Sequence, residues 1–118
     1  MAAGLDYALL PPEVNSARMY AGAGSGPMLV AASAWKALAA ELRSTALSYH
    51  AALSGLTDQE WHGPSAAAMT QAATPYVTWM NTTATGAEQS ASQAEAAAAA
   101  YQNAYAATVP PTHITANR

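Results

Sequence analysis

The 118-residue chain carries four Lys or Arg against seven Asp or Glu, a formal net charge of −3, and it has no cysteine. This composition excludes a disulfide framework, thiolate chemistry and the basic footprint with which proteins bind nucleic acid or an anionic membrane surface. The 33 alanines and the absence of phenylalanine predict one all-helical domain, because alanine has the highest helix propensity and the chain is too short for two ordinary domains.

The first predicted element lies in an N-terminal arm, residues 1–26. Its segment "PPEVNSARMYAG" opens with two prolines and closes on Gly22, which predicts a helix of about two turns. The arm has an acid at Asp6 and prolines where an apolar signal core would run, so no classical signal peptide is predicted. The glycine-rich "AGAGSG" that follows lacks the spacing and the lysine of a phosphate-binding loop.

A second helix is predicted over residues 27–54, from Pro27 at its first position to a stop at Gly55. Apolar residues recur on it in an a/d pattern over four heptads, which predicts packing against another helix. Large residues fill one seven-residue column and mostly alanine fills the other, so a neighbouring helix can approach closely. The columns are Met28, Trp35, Leu42, Tyr49 and Leu56, and Ala32, Ala39, Ala46 and Leu53.

A linker over 55–63 and a third helix over 64–107 continue the predicted fold. Pro64 opens this helix, and Pro75 is expected to kink it because the proline ring clashes with the carbonyl group of Gln71. So short a linker predicts an antiparallel return, and therefore a long helical hairpin preceded by the short N-terminal helix. One column of the third helix contains Ala73, Met80, Ala87, Ala94 and Tyr101, next to Met69 and Tyr76.

The remaining residues, 108–118, are predicted to be a tail in which the segment after Pro111 is too short for an element. A two-helix hairpin buries only the stripes that face each other, which rarely offsets the conformational entropy of about a hundred ordered residues. A partner is therefore expected to cover an outer apolar flank. Its predicted members are Leu29, Leu38, Leu47, Val77, Trp79 and the poly-alanine run.

No group of residues has the spacing of a catalytic or cofactor site. Asp58, Glu60 and His62 alternate in the linker, but a zinc site ordinarily needs a second histidine at helical spacing, so a solvated linker is favoured. No serine lies in a nucleophile elbow, and no two carboxylates have the spacing for acid/base catalysis. The sequence predicts a non-enzymatic protein without a cofactor, a metal or a small-molecule substrate.

Four motifs stand out once the elements are placed. They are Pro11-Pro12-Glu13, Trp61-His62-Gly63 between the long helices, "PYVTWM" at 75–80 and "TVPP" at 108–111. Together they resemble the N-terminal domain of the mycobacterial PPE family over essentially the whole chain. Family domains continue through two more helices, so the sequence resembles a PPE domain truncated before its last helices.

The resemblance implies that the second and third helices pack against the two helices of a PE-family protein to complete a four-helix bundle. It also implies that the pair is exported folded by a type VII (ESX) secretion system and acts at the cell surface or outside, with a host-interaction, immune-modulating role. In the family the Trp-x-Gly turn lies beside the export signal of the PE partner, which assigns that role to Trp61 and Gly63. The resemblance also implies a type VII secretion chaperone as a second partner, but in the family this chaperone docks on the later helices, which the sequence does not include.

The alternative to a secreted PE/PPE pair is a self-associating helical protein, or a truncated product without a productive partner or secretion.

The surface expected to meet either the neighbouring helix or the PE partner combines large residues from the heptad columns with residues of the outer flank. The residues of this expected surface are Met28, Leu29, Trp35, Leu38, Leu42, Tyr49, Leu53, Met69, Tyr76, Trp79, Met80 and Tyr101.

Overall fold

The protein is represented by a computed structural model that describes residues 6–56 and 63–118, and within these ranges its regular elements are all helical. A 3-10 turn at Tyr7–Leu9 is followed by four helices. The all-helical class predicted from the alanine content is therefore confirmed. The helices are α1 (Pro12–Ala21), α2 (Gly26–Gly55), α3 (Pro64–Ala107) and α4 (Pro111–Ala116).

Proline and glycine set the helix boundaries. Pro12, Pro64 and Pro111 each occupy the first position of a helix, where a missing N–H breaks no helical hydrogen bond. Gly24 and Gly63 have positive φ angles of 78° and 93°, which residues with a Cβ rarely adopt. Glycine at these two positions therefore allows the turns that precede α2 and α3.

The prediction that the residues after Pro111 form no element is wrong, because they form α4. A helix of six residues would not persist in isolation, but α4 packs on α1. Arg118, just beyond α4, forms a 2.8 Å ion pair between its Nη2 and the Oε2 of Glu13 on α1. Tertiary contacts, which the local sequence does not reveal, thus stabilise the short helix.

The chain divides into two compact units, Met1–Leu29 with Glu95–Arg118, and Val30–Ala94. In the first unit, side-chain hydroxyls hold α1 in place. Tyr101 donates to the carbonyl oxygen of Met19 at 3.0 Å, and Tyr20 donates to that of Thr108 at 3.1 Å. Ser16 is buried and donates to the carbonyl oxygen of Val109. These acceptors lie at or just beyond the ends of α1 and α3, where carbonyl groups lack a helical partner.

In the unit Val30–Ala94, α2 and α3 pack antiparallel. Arg43 on α2 is hydrogen-bonded to Glu88 on α3, whereas His50, two turns later on α2, lines a groove with Thr74, which comes earlier on α3. The antiparallel helical hairpin predicted from the short linker is confirmed.

Alanine forms most of the contact between these two helices, which we call the alanine seam. Ala39, Ala84 and Ala87 make its central cluster, Leu42 packs against them, and Ala84 has an exposed fraction of 0%. Because alanine ends at Cβ, the two helix backbones approach closely. The seam residues are Ala32, Ala39 and Ala46 on α2, and Ala66, Ala73, Met80, Ala84, Ala87 and Ala91 on α3.

The column of large residues on α2 lies at the edge of the alanine seam, which differs from the predicted pairing of two buried columns. Trp35 and Tyr49 remain 42% and 41% exposed, and only Leu42 of this column packs against the central cluster. The physical reason is the close approach of the helices, which leaves no room for an indole or phenol ring between them.

We expect Ala39→Leu to lower the free energy of unfolding by about 1–3 kcal/mol, because added methyl and methylene groups overpack a seam of alanines. Ala37→Leu is the matched control, since Ala37 is exposed on the same helix, and it should change this free energy by less than about 0.5 kcal/mol. Urea unfolding followed by circular dichroism, at concentrations where the chain is monomeric, measures both. Equal stabilities of the two variants would contradict the alanine seam.

Candidate partner-binding surface

The two sides of the alanine seam differ in chemistry. On α2, Arg43 follows the buried Ala39 by four residues and Leu42 follows it by three, which at 3.6 residues per turn places them on opposite sides of the seam. The hydrogen bonds between Arg43 and Glu88 bring one side of α2 and one side of α3 together. The opposite sides of both helices therefore also lie together.

We call these two surfaces the ionic flank and the apolar flank. The ionic flank has polar and charged side chains from both helices, whereas the named residues of the apolar flank are aromatic or aliphatic. The ionic flank comprises Arg43, His50, Thr74, Thr78, Thr85 and Glu88, and the apolar flank comprises Trp35, Leu38, Leu42, Tyr49, Met69, Tyr76 and Trp79.

Arg43 makes the principal contacts of the ionic flank. Its Nη2 lies 2.6 Å from Oε1 of Glu88, its Nε lies 3.2 Å from Oε2, and Nη2 also donates to Thr85 Oγ1 at 3.1 Å. The hydrogen bonds from Arg43 hold the pKa of the Glu88 carboxyl below its ordinary value, and in return they raise the pKa of the guanidinium. The bidentate geometry satisfies both charges within the chain, so these two groups need no partner.

The apolar flank exposes large side chains to solvent. Tyr76 and Trp79 are 65% and 60% exposed on α3, and Leu38 and Trp35 are exposed on α2. Exposed apolar residues are ordinary when they are scattered, but a contiguous patch usually marks a site of association. The apolar flank is thus the best candidate for a binding surface in this unit.

The outer flank predicted from sequence does not form one surface. Leu38 and Trp79 belong to the apolar flank, but Val77 lines the groove with His50 and Thr74 on the ionic side, and Leu47 is exposed on that side as well. The reason is the helical period: Val77 and Trp79 are two residues apart, which places them about 200° apart around α3.

The other predicted site residues differ in how far they are exposed to solvent. Met28 and Leu29 are exposed, Leu53 and Met69 are half-buried, and Met80 is buried in the alanine seam.

Tyr101 belongs to the other unit, where it anchors α1. Pro11 and Pro12 are exposed, and the half-buried Glu13 pairs with Arg118.

The expectations for Trp61, Asp58, Glu60 and His62 lie outside the described residues, whereas Gly63 is described. Within the described ranges, no three His, Cys, Asp or Glu side chains lie close enough together to hold a metal ion. Nor does any helix in these ranges combine the length and apolarity that a bilayer crossing needs.

Sequence reasoning missed two features. Ala84, Ala91 and Ala98 form a buried seven-residue column on α3 whose spacing could have identified it. The local sequence does not identify Ser16 and Tyr20 as the residues that anchor α1, because the carbonyl groups that accept their hydrogen bonds lie about ninety residues away along the chain.

A family model and the sequences of individual known proteins both match this chain, and they match it to the same family. A family model described as "PPE family" matches residues 6–118. The uncharacterized PPE family protein PPE45 of Mycobacterium tuberculosis is 58% identical over 114 residues, which cover 97% of this chain and 28% of that protein. PPE15 of the same organism is 55% identical, with 97% and 29% covered. The chain thus spans less than a third of the length of these relatives.

The ion pair predicts a specific pH dependence. Because the pKa of Glu88 is lowered in the folded chain, the pair stabilises the fold above the pKa of an unfolded glutamate, and this contribution is lost as the pH falls through the lowered value. We expect Arg43→Gln to raise the titration midpoint of Glu88, measured by carbon NMR of its carboxyl group. Lys36→Gln, which removes a cation two turns away, is the control and should leave the midpoint nearly unchanged. A midpoint that Arg43→Gln does not move would contradict the described pairing.

Proposed function

Because the chain belongs to the PPE family, we propose that it pairs through its apolar flank with a PE-family protein and is exported with it by a type VII secretion system. The pair acts at the cell surface or outside the cell, in contact with the host and its immune response. The proposed role is that of a non-enzymatic interaction protein.

The observation that carries the proposal is the difference between the two flanks. Arg43 and Glu88 are paired within the chain, whereas Leu38, Tyr76 and Trp79 leave much of their apolar surface in water. Covering a large apolar side chain contributes about 1.5–3 kcal/mol, so several such residues together can offset the entropy lost on association.

A partner made of two helices fits this surface best. The apolar flank runs along both α2 and α3, so two further helices that pack on it would complete a four-helix bundle with a shared core. The alanine seam supports the same arrangement, because large residues displaced to the edge of a hairpin become core residues once a second hairpin covers them. The chain thus supplies one half of a core whose other half is the partner.

A second copy of the chain is the alternative occupant, because a self-complementary apolar surface also forms twofold dimers. The heterodimer and homodimer hypotheses predict different compositions of the complex and different responses to an added PE protein. Co-expression therefore separates them: a heterodimer contains one copy of each chain, and a homodimer persists when a PE protein is present.

We expect pairwise co-expression with the PE proteins of Mycobacterium tuberculosis to yield a stable 1:1 complex with at least one of them, detected by size exclusion with light scattering. Trp79→Glu should weaken that complex about a hundredfold, because it places an unpaired carboxylate in an apolar interface. Thr78→Glu is the matched control, since the neighbouring residue lies on the ionic flank and should leave binding nearly intact. Equal losses in both variants, or a homodimer throughout, would contradict the proposal.

The Trp-x-Gly motif gives a separate prediction about export. We expect Trp61→Ala to preserve PE pairing but reduce the secreted fraction, whereas Gly63→Val should weaken both, because a β-branched residue is strained at a φ of 93°.

The measurement uses this segment in place of the matching 114 residues of PPE45, in a mycobacterium with an intact type VII system. The same strain without that system is the control. Normal secretion of the Trp61→Ala complex would remove the recognition role of the motif.

A further inference from the structure

We propose that Pro75, Tyr76 and Trp79 form a notch that selects the partner. The notch takes one aliphatic side chain from a partner helix, and the carbonyl oxygen of Gln71 accepts a hydrogen bond from a polar side chain of the same helix. This inference rests on the proposed PE pairing, and it assigns the specificity of that pairing to Tyr76 and Trp79 of the apolar flank together with the adjacent Pro75.

Pro75 lies inside α3, which continues on both sides of it. Proline has no backbone N–H, so the carbonyl oxygen of Gln71 lacks the donor that residue 75 of a helix ordinarily supplies. In a helix the carbonyl oxygen of a residue points toward the backbone nitrogen of the residue four positions later. For Gln71 that residue is Pro75, which lines the notch. One residue earlier, by contrast, the carbonyl oxygen of Thr70 accepts an additional hydrogen bond of 2.7 Å from the hydroxyl of Thr74. An acceptor with spare capacity therefore lies next to Pro75, which is one of the residues that line the notch.

The notch itself is lined by Pro75, Tyr76 and Trp79, and its surface is almost entirely apolar. All three residues are exposed. A charged side chain would lose its hydration there without finding a counter-ion among the lining residues, so an aliphatic side chain is the occupant that the chemistry favours. The adjacent carbonyl oxygen adds a directional requirement for a donor.

Pro75 has no evident role in stabilising the hairpin. It is exposed and lies outside the alanine seam, yet proline is the least favourable residue in a helix interior. A residue that breaks a local rule without a compensating contact within the chain is expected where the chain meets a ligand or partner. The notch and the freed carbonyl oxygen are what Pro75 provides at this position.

The test compares stability with affinity in one variant. Pro75→Ala restores the helical hydrogen bond to Gln71 and removes one wall of the notch, so the melting temperature of the chain should rise by several degrees while the affinity falls about tenfold. Thr82→Ala is the matched control, because Thr82 follows Pro75 by one heptad, is exposed, and lies outside the notch. A proline with a purely structural role would give a higher melting temperature with equal or tighter binding.

The probe is the PE protein that forms the 1:1 complex in co-expression, titrated by calorimetry against the wild-type chain and both variants. A tenfold loss confined to Pro75→Ala supports the notch. Equal affinities of the wild type and Pro75→Ala overturn the notch while the pairing stands. If the wild-type chain binds none of the PE proteins, the proposed pairing itself fails and the notch fails with it.

Discussion

The close approach of two helices across alanine is the constraint on which the hairpin depends. Ala39, Ala84 and Ala87 bring the backbones of α2 and α3 together, and this proximity moves Trp35 and Tyr49 to the edge of the contact. A seam of alanine buries little apolar surface per residue, so the hairpin gains less from burial than a leucine-rich pair would. Its remaining apolar surface faces outward, where a partner can use it.

Charge and hydrogen bonding give the hairpin two different sides. The guanidinium of Arg43 is held by the carboxylate of Glu88 and the hydroxyl of Thr85, so the ionic flank is largely satisfied by its own groups. Such an exposed pair contributes little to stability, but it makes this side an unfavourable place for an apolar partner to pack. In the proposed pairing, the difference between the flanks would therefore direct association more than it stabilises the chain.

The N-terminal helix α1 is held mainly by side-chain hydrogen bonds and an aromatic contact rather than by a seam of alanines. α1 is too short to be stable alone, and its principal anchors are hydroxyl groups that donate to carbonyl oxygens at the ends of helices, together with the Tyr20 and Tyr105 rings, whose centroids lie 4.6 Å apart. Glu13 of the proline-proline-glutamate triplet contributes an ion pair to Arg118. The family motif thus has a structural role within its own unit.

The sequence by itself determined the helical class and the antiparallel hairpin, because alanine content, proline positions and a seven-residue period are local properties. It also indicated the turn at Gly63, since few residues other than glycine adopt a positive φ. Only the tertiary structure decided that α4 exists, that Ala84 lies at the centre of the seam, and that Leu38 and Val77 lie on opposite flanks. Each of these depends on which face of one helix meets another, and the distance between two helix axes is set by both helices together.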